Sequence, residues 1–303
     1  MKLLQEMCAI HAPSGNESAM TQFLLSYIND NKNKWKTQPQ VFYGEDFQDS
    51  IVLIFGKPRT AIFAHIDNIG FTVRYRNQLV KIGGPQLKNG TLLRGTDSKG
   101  HIECEVLIDT EERIMYKASR EIDRGTDLSF VPNWIEDEEY VQCCYMDNRL
   151  GVWNALKVCE TLDDGAIVFS CREEHGGGSV GYLLKFLYEN YKIKQTLISD
   201  ITWITEGVLP GKGVVISMRD IGIPRRTYLN KIIRLAESSH IPFQLEVEGS
   251  GGSDGTEIQK QNLPVDWCFV GAAEQHVHSP KEKVNKADIS YMLNMYKYLM
   301  KNL

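Results

Sequence analysis

Apolar residues recur at helical spacing in two segments near the start of the chain, between residues 3 and 10 and again from Met20 to Ile28. The stretch from Ser14 to Glu17 lies just before the second segment and forms a capping-box pattern, so the sequence predicts two opening helices. Two short apolar runs follow, Ile51–Phe55 and Ala61–His65, with turn residues between them. We interpret them as two neighbouring strands joined by a turn.

The pattern of apolar and polar residues changes between residues 71 and 145, where the two kinds alternate in short segments such as Ile102–Val106. Turn residues separate these segments and helical periodicity is weak, a pattern typical of strands. We therefore predict that residues 71–145 form an inserted β-rich domain. The remaining residues, 1–70 and 146–303, are expected to form one larger domain.

From residue 147 onward, strand patterns and helix patterns alternate along the chain. This alternation is typical of βαβ units, in which parallel strands are connected by helices that cover the sheet. We therefore predict the α/β fold class, as a three-layer α/β/α sandwich with a largely parallel mixed sheet. The predicted helices cover residues 150–162, 179–191, 228–239 and 286–300, and the predicted strands cover 166–171, 196–199, 213–217, 243–247 and 265–270.

The composition is that of an ordinary globular protein, with 42% hydrophobic and 24% charged residues among 303. The 34 Lys and Arg residues against 39 Asp and Glu residues give a net charge of −5 without a basic block, so we expect no nucleic-acid partner. Seven cysteines without CxxC spacing, and no leader pattern, predict a reduced, cytoplasmic protein. No apolar run approaches the roughly 20 residues of a membrane-spanning helix, so we expect no membrane association.

Side chains that can bind metals follow the predicted strands at the points where the strands end. In an open α/β sheet the reactive crevice lies beyond the carboxyl ends of the strands, so these side chains should meet there. Carboxylates and imidazoles that converge in one place leave charge uncompensated unless cations lie among them. Zinc accepts such nitrogen and oxygen ligands, and a bridging carboxylate favours a pair of ions. The candidates are His65 and Asp67 after 61–64, Glu173 and Glu174 after 166–171, Asp200 after 196–199, His276 and His278 after 265–270, and Asp147 ahead of a helix.

Neighbouring candidates suggest a division of roles. His65 and Asp67 are two residues apart and point to the same side of an extended chain, so Asp67 can hold the imidazole ring of His65. Glu173 and Glu174 are adjacent and point to opposite sides, so one can bind a metal while the other acts on a water as general base. That division suits the hydrolysis of an amide bond.

Two of these candidates have a simpler interpretation when each is taken alone. A histidine at the end of a strand, such as His65, is most often just hydrogen-bonded. Asp147, together with Asn148, could cap the helix that begins at Arg149, because Asp and Asn are favoured at that position. Capping and metal binding can coexist in one segment.

Three further residues leave alternatives open. Glu206 lies six residues after Asp200 and is the rival ligand if the strand ends later than predicted. His276 is an outer residue of the site or a surface residue. Asp254 lies in a glycine-rich run, Gly251–Gly255, which is either a plain turn or a close approach to a bound peptide, with Asp254 positioning groups near the metals.

Six short motifs that contain these residues resemble, in order, the signature series of the glutamyl and deblocking aminopeptidases. That family consists of dinuclear metallopeptidases and includes the tetrahedral aminopeptidases. Each motif is weak alone, but six in order with compatible spacing form a specific signal across the whole chain. The motifs are His65–Phe71, Met146–Gly151, Glu173–Glu174, Ser199–Thr202, Gly251–Asp254 and His278–Pro280.

The resemblance implies a metal-dependent aminopeptidase that removes N-terminal residues from peptide substrates. It implies two divalent metal ions, with zinc as the first choice and cobalt or manganese as alternatives. It also implies that residues 71–145 correspond to the family's inserted domain and that the chain forms a homo-oligomer, which is often a dodecamer in the family. The implied roles are one metal on His65, Asp147 and Asp200, the other on Asp147, Glu174 and His278, with Glu173 as catalytic base and Asp67 orienting His65.

Two other functions stay open at this point. A carboxypeptidase or deacylase of a related dinuclear fold uses the same ligand types and differs in which end of the substrate it anchors. A non-catalytic relative that binds metal or peptide keeps the scaffold without turnover. The chain also departs from the family pattern at His175–Gly178, beside the implied base, so we expect its substrate preference to differ.

Overall fold

The computed structural model describes residues 1–303, and its helices and strands begin and end as follows. The α-helices are α1 (Lys2–Cys8), α2 (Ser18–Asn31), α3 (Met146–Cys159), α4 (Val180–Tyr191), α5 (Arg226–Ser239), α6 (Asp254–Lys260) and α7 (Lys286–Asn302), with short 3-10 helices at Lys32–Lys34 and Glu45–Phe47. The strands are β1 (Gln40–Gly44), β2 (Gln48–Phe55), β3 (Ala61–His65), β4 (Gly70–Val73), β5 (Leu79–Ile82), β6 (Leu92–Asp97), β7 (Gly100–Ile108), β8 (Ile114–Lys117), β9 (Asp127–Phe130), β10 (Ile135–Glu136), β11 (Tyr140–Gln142), β12 (Gly165–Ser170), β13 (Gln195–Trp203), β14 (Val214–Arg219), β15 (Phe243–Val247), β16 (Asp266–Gln275) and β17 (Lys283–Asn285).

Eleven strands form one large mixed sheet with a parallel centre. Its order is β1, β2, β12, β3, β13, β16, β17, β11 and β10, and β14 and β15 continue the sheet beside β16. The strands β12, β3, β13 and β16 pair in parallel. Every residue of β3 and of β12 is buried, as expected for parallel strands that are covered on both faces and read as continuous apolar runs.

Helices cover both faces of the large sheet. Successive side chains of a strand point to opposite faces, and in β3 the residues Ile62 and Ala64 join the core under α1, α3, α5 and α7. Phe63, between them, packs on the other face with residues of α4 and α6. The predicted three-layer α/β/α sandwich is therefore confirmed. None of its helices combines the length and the apolar character that crossing a membrane requires.

A second, smaller sheet is antiparallel and contains the six strands from β4 to β9, in the order β5, β4, β9, β6, β7, β8. It accounts for most of the predicted β-rich insertion. The next two strands, β10 and β11, pair with each other and then with β17, so they belong to the large sheet. The predicted division of the chain at residues 71 and 145 stays a prediction.

The prediction that β2 and β3 are neighbours is wrong. Strand β12 lies between them, antiparallel to β2 and parallel to β3. Because β12 is buried throughout, the backbone N–H and C=O groups on both of its edges require hydrogen-bond partners, and the linker at residues 56–60 is long enough to pass its end. Asp164 stabilises this linker, since its Oδ1 accepts the N–H of Lys57 at 2.6 Å.

The predicted capping box at Ser14–Glu17 is also wrong. Helix α2 begins at Ser18 without a side-chain cap. The hydroxyl of Ser14 donates instead to Oδ2 of Asp67 at 2.5 Å. Oε1 of Glu17 accepts the N–H groups of Gly15 and Arg172 at 2.8 and 3.2 Å. Both side chains thus bind partners at the edge of the large sheet, which outcompete the local cap.

Two central strands are longer than the apolar runs that predict them. Each residue of β13, through Trp203, is paired with a residue of β16, which itself runs to Gln275. Asp200 was predicted to follow the end of a strand, but it lies within β13. A ladder of backbone hydrogen bonds does not depend on apolar side chains, so it continues through a charged residue that finds partners of its own.

Gly271 of β16 is a point where the packing of the central sheet admits no side chain. It pairs with Asp200, and a Cβ atom added there would clash with the backbone oxygen of Asp200 and with the ring of Phe269. We expect Gly271→Ala to lower the free energy of unfolding by about 1–3 kcal/mol, measured by urea denaturation, because overpacking forces neighbouring atoms to shift.

The matched control is Gly207→Ala, because nothing lies within 4 Å of the position of its added Cβ atom. Its free energy of unfolding should stay within about 0.5 kcal/mol of the parent value. Equal stability of the two variants would show that the central sheet tolerates a side chain beside Asp200.

Candidate metal centre

The large sheet brings the five predicted metal ligands to one edge. This edge is formed by the carboxyl ends of the central parallel strands, where crevices of open α/β sheets lie. The ligands arrive from five separate segments of the chain. They are His65 at the end of β3, Asp147 at the start of α3, Glu174 after β12, Asp200 within β13 and His278 after β16.

Asp147 lies between two histidines and faces each with a different oxygen. Its Oδ1 is 3.2 Å from Nε2 of His65, and its Oδ2 is 3.1 Å from Nε2 of His278. A further carboxylate approaches each histidine: Oδ2 of Asp200 lies 3.6 Å from Nε2 of His65, and Oε2 of Glu174 lies 3.2 Å from Nε2 of His278. All five side chains therefore meet, while their roles as ligands stay a prediction.

The donor atoms fit divalent cations. His65, Asp147 and Glu174 each offer one atom, and the three atoms lie within 4.8 Å of one another. The two histidines are the ion-pair partners of these carboxylates, and no lysine or arginine reaches them. The second oxygen of Glu174 accepts no hydrogen bond. Imidazole nitrogens and carboxylate oxygens with spare capacity are what zinc and related metals bind.

Burial and neighbouring charges together shift the pKa values of the site. Burial raises the pKa of Asp200 well above its usual range, although His65 opposes this. Burial also raises the pKa of Glu173, and the charges of Glu174 and Asp200 raise it further. For His65, burial lowers the pKa, but Asp200 and Asp147 outweigh it and leave the value well above normal. Each shift means that the site favours additional positive charge.

Asp67 connects the histidine of β3 to the glutamate pair. It is fully buried, and its Oδ1 lies 3.4 Å from Nδ1 of His65. The same carboxylate accepts the backbone N–H groups of Glu173 and Glu174, each at 3.1 Å, and the hydroxyl of Ser14. Asp67 thus positions the backbone of both glutamates, while its role in orienting the imidazole ring of His65 stays a prediction.

At the start of α3, the residue that caps the helix and the candidate metal ligand are two neighbouring residues. Asp147 and Asn148 have non-helical backbone angles. Oδ1 of Asn148 accepts the N–H of Gly151 at 2.9 Å, as an N-cap side chain does. Asn148 therefore caps the helix, and the carboxylate of Asp147 is free to face the histidines.

Two buried glutamates near the centre were not predicted. Glu282 is fully buried and its Oε2 accepts the N–H of Asp147 at 3.2 Å. Glu274, also fully buried, has no hydrogen-bond partner for either oxygen. Burial raises the pKa of both carboxyl groups well above the usual range. Glu282 stands between lysines in the sequence and gave no signal, whereas a charge directly after the apolar run of β16 could have marked Glu274.

The residues with open alternatives lie in three different settings. Glu206 is exposed and does not line the cavity at the site, whereas Asp200 does. His276 is exposed as well. Asp254 is buried at the start of α6, where it accepts a hydrogen bond from the hydroxyl of Ser170, and burial raises its pKa to about 6. The glycine-rich run before it therefore leads into a helix and is not a plain turn.

The five candidate ligands line one cavity of about 310 Å³. Glu173 lines it, together with Gly176 and Gly177 from the segment that departs from the family pattern. The side chain of Glu257 packs against Gly177, where an added Cβ atom would clash with it. Gly177 therefore lets α6 approach the loop of the glutamate pair closely.

Comparison with known proteins extends these observations. The chain is 23% identical, over 324 aligned positions, to a provisionally named aminopeptidase of Acetivibrio thermocellus, with 95% of this chain and 94% of the relative covered. The fold is similar to that of the aminopeptidase APDkam598 from Desulfurococcus kamchatkensis, with a TM-score of 0.87, 18% identity and coverage of 100% and 94% of the two chains. It is also similar to the TET1 peptidase of Pyrococcus horikoshii, with a TM-score of 0.82, 20% identity and coverage of 99% and 98%.

The family model described as M42 glutamyl aminopeptidase matches residues 91–295, about two thirds of the chain. The match includes four of the five candidate ligands and the glutamate pair. It confirms the predicted enzyme class, a hydrolase of peptide bonds. On this evidence the chain belongs to the M42 glutamyl aminopeptidase family.

Proposed function

We propose that this protein is a metal-dependent aminopeptidase that holds two divalent cations at the edge of its large sheet. The observation that carries the proposal is the position of Asp147, whose two oxygens face two different histidines. Such a carboxylate can bridge two cations. The proposed ligands are His65, Asp147 and Asp200 for one cation and Asp147, Glu174 and His278 for the other.

The donor set suits zinc, and cobalt or manganese are alternatives that mixed nitrogen and oxygen ligands can also hold. When bound, the cations supply Lewis acidity to the scissile carbonyl group and make a neighbouring water more acidic. Two further carboxylates of the centre, Glu173 and Asp67, are not proposed ligands and are left for other roles.

Glu173 is the proposed general base. Its Oε2 lies 3.9 Å from Nε2 of His65, and its side chain lines the cavity, so it can reach a water and a substrate beside the candidate ligands. In this role the carboxylate accepts a proton from the attacking water and then donates it to the leaving amine. Asp67 supports the reaction indirectly, by fixing the backbone of Glu173 and the ring of His65.

The proposal also covers the substrates, the oligomeric state and the cellular environment of the protein. We propose peptides with a free N-terminus as substrates. We also propose a homo-oligomer, since the Pyrococcus horikoshii relative is described as assembling into a tetrahedron or an octahedral shell. The proposal of a reduced, cytoplasmic environment is supported by the seven cysteines, all of which are buried and free.

Replacement of Glu173 by Gln tests the general base. We expect the variant to keep both metal ions, because the side chain is not a proposed ligand. Its kcat on aminoacyl p-nitroanilides should fall by about 10²–10⁴-fold, because an amide cannot accept the proton. Metal content is measured by mass spectrometry on the same samples that are assayed.

The control for this experiment is Glu206→Gln, which removes a carboxylate from an exposed position outside the cavity. It should match the parent in both readouts. Parental turnover by Glu173→Gln would reject the assignment of the base. Hydrolysis of N-acetylated peptides, but not of peptides with a free amine, would favour a deacylase instead.

Asp200→Asn tests the ligand set and the choice between Asp200 and Glu206. An amide is a poorer ligand than a carboxylate, so we expect this variant to lose about one bound metal ion per chain. Glu206→Gln should retain two. If the losses were reversed, the strand position of Asp200 would be structural and Glu206 would be the ligand.

A further inference from the structure

The cavity carries more negative charge than the proposed metal ligands account for. Beyond the ligands and the proposed base Glu173, its wall contains four more carboxylates, and neither a lysine nor an arginine lines it. One of the four, Glu257, forms an ion pair with Lys260 at 2.6 Å. The other three have no ion-pair partner. They are Asp220, Glu246 and Glu248.

Two of these three carboxylates are built into the wall. Asp220 is 8% exposed and Glu246 is 3% exposed. Oδ1 of Asp220 accepts the N–H of Gly222, but its Oδ2 accepts no hydrogen bond within the protein. Oε1 of Glu246 accepts the hydroxyl of Thr202. Burying a carboxylate without a cationic partner is unfavourable, so these two side chains, which form no ion pair within the protein, indicate a ligand that brings donors and positive charge.

Arg219, which is next to Asp220 in the sequence, forms no ion pair with these carboxylates. Nε of Arg219 donates to the backbone oxygens of Asp220 and Glu248, each at 3.1 Å, and forms no ion pair with their carboxylates. Its role is to join the ends of β14 and β15, from which these acidic residues extend. The charge of the wall therefore remains available inside the cavity.

These three acidic residues, which we call the acidic wall, lie at about the length of a lysine side chain from the proposed metal site. Thr202, which binds Glu246, follows Asp200 by two residues on β13 and points to the same face, roughly 7 Å further along the strand. The exposed ring of Trp203 lines the same cavity. Aliphatic stems of lysine and arginine pack on such apolar surface while their charged ends reach polar groups.

We propose that Asp220, Glu246 and Glu248 form the pocket for the side chain of the first substrate residue and select lysine or arginine there. The inference rests on the proposed function, since a peptide whose scissile bond lies at the metal site places its first side chain in the rest of the cavity. A glutamyl side chain meets three carboxylates and no cation in this pocket. Charge complementarity therefore excludes the substrate after which the family is named.

Substrates that differ only in the charged group of the first side chain test whether the pocket recognises a positive charge. The metal-loaded enzyme is assayed with lysyl, norleucyl and glutamyl p-nitroanilides, because norleucine has the four-carbon stem of lysine without the ammonium group. We expect kcat/KM to be about 100-fold higher for the lysyl than for the norleucyl substrate, and the glutamyl substrate to be the poorest. Similar values for lysyl and norleucyl substrates, with turnover intact, would overturn this inference and leave the proposed function standing.

Two isosteric variants assign the preference to the wall. Glu246→Gln and Asp220→Asn should each reduce the ratio of lysyl to norleucyl kcat/KM by about 10-fold. Glu237→Gln is the control, since it removes the same charge from an exposed position on α5 outside the cavity. Unchanged ratios in both wall variants would reject the assignment. Thermal unfolding verifies that each variant is folded.

Calorimetric titration with free lysine and free norleucine tests the pocket without turnover. Tighter binding of lysine that is lost in Glu246→Gln supports the pocket even if the enzyme hydrolyses none of the substrates, an outcome that contradicts only the proposed function. Equal binding of the two amino acids overturns the pocket. A third metal ion per chain that is lost in Asp220→Asn would also overturn it, because the wall would then be a cation site.

Discussion

The compensation of buried negative charge at one edge of the large sheet is the constraint on which the rest of the structure depends. Asp147, Glu174 and Asp200 are brought together around two imidazole rings, with no lysine or arginine among them. Such a group is unfavourable by itself, since burying charge costs several kcal/mol unless it is paired. Its persistence in a well-packed sheet is understandable if cations complete it. The family to which the chain belongs is consistent with that chemistry.

The scaffold beneath this group is built to hold it rigidly. Asp67 joins the end of β3, the loop of the glutamate pair and the opening segment of the chain through one carboxylate. The guanidinium of Arg149, which is fully buried, donates to the backbone oxygen of Ile66 and to the side chain of Asn68. The segment from His65 to Asn68 is therefore held from both sides, which is the kind of support that fixes the geometry of metal ligands.

The cavity has two chemically different halves. One half gathers the imidazoles and carboxylates of the metal centre, and the other carries acidic side chains that no cation of the protein neutralises. The pocket proposed for the first substrate side chain lies in the second half, whose residues come from β14, β15 and the segments that follow them. The catalytic half can stay the same while this wall changes.

Sequence patterning predicted the fold class and a set of candidate site residues, and the resemblance of six motifs to a known family selected the five ligands among them. The βαβ alternation after residue 147 is a local property, as is the placement of polar residues after apolar strands, and both follow from burial of the strands. Tertiary structure decided the rest. The insertion of β12 between β2 and β3, the extension of β13 through Asp200 and the burial of Glu274 and Glu282 depend on contacts between distant segments, which local periodicity does not encode. The acidic wall belongs to the same class, because Asp220 and Glu246 resemble ordinary surface carboxylates until two neighbouring strands place them inside one cavity.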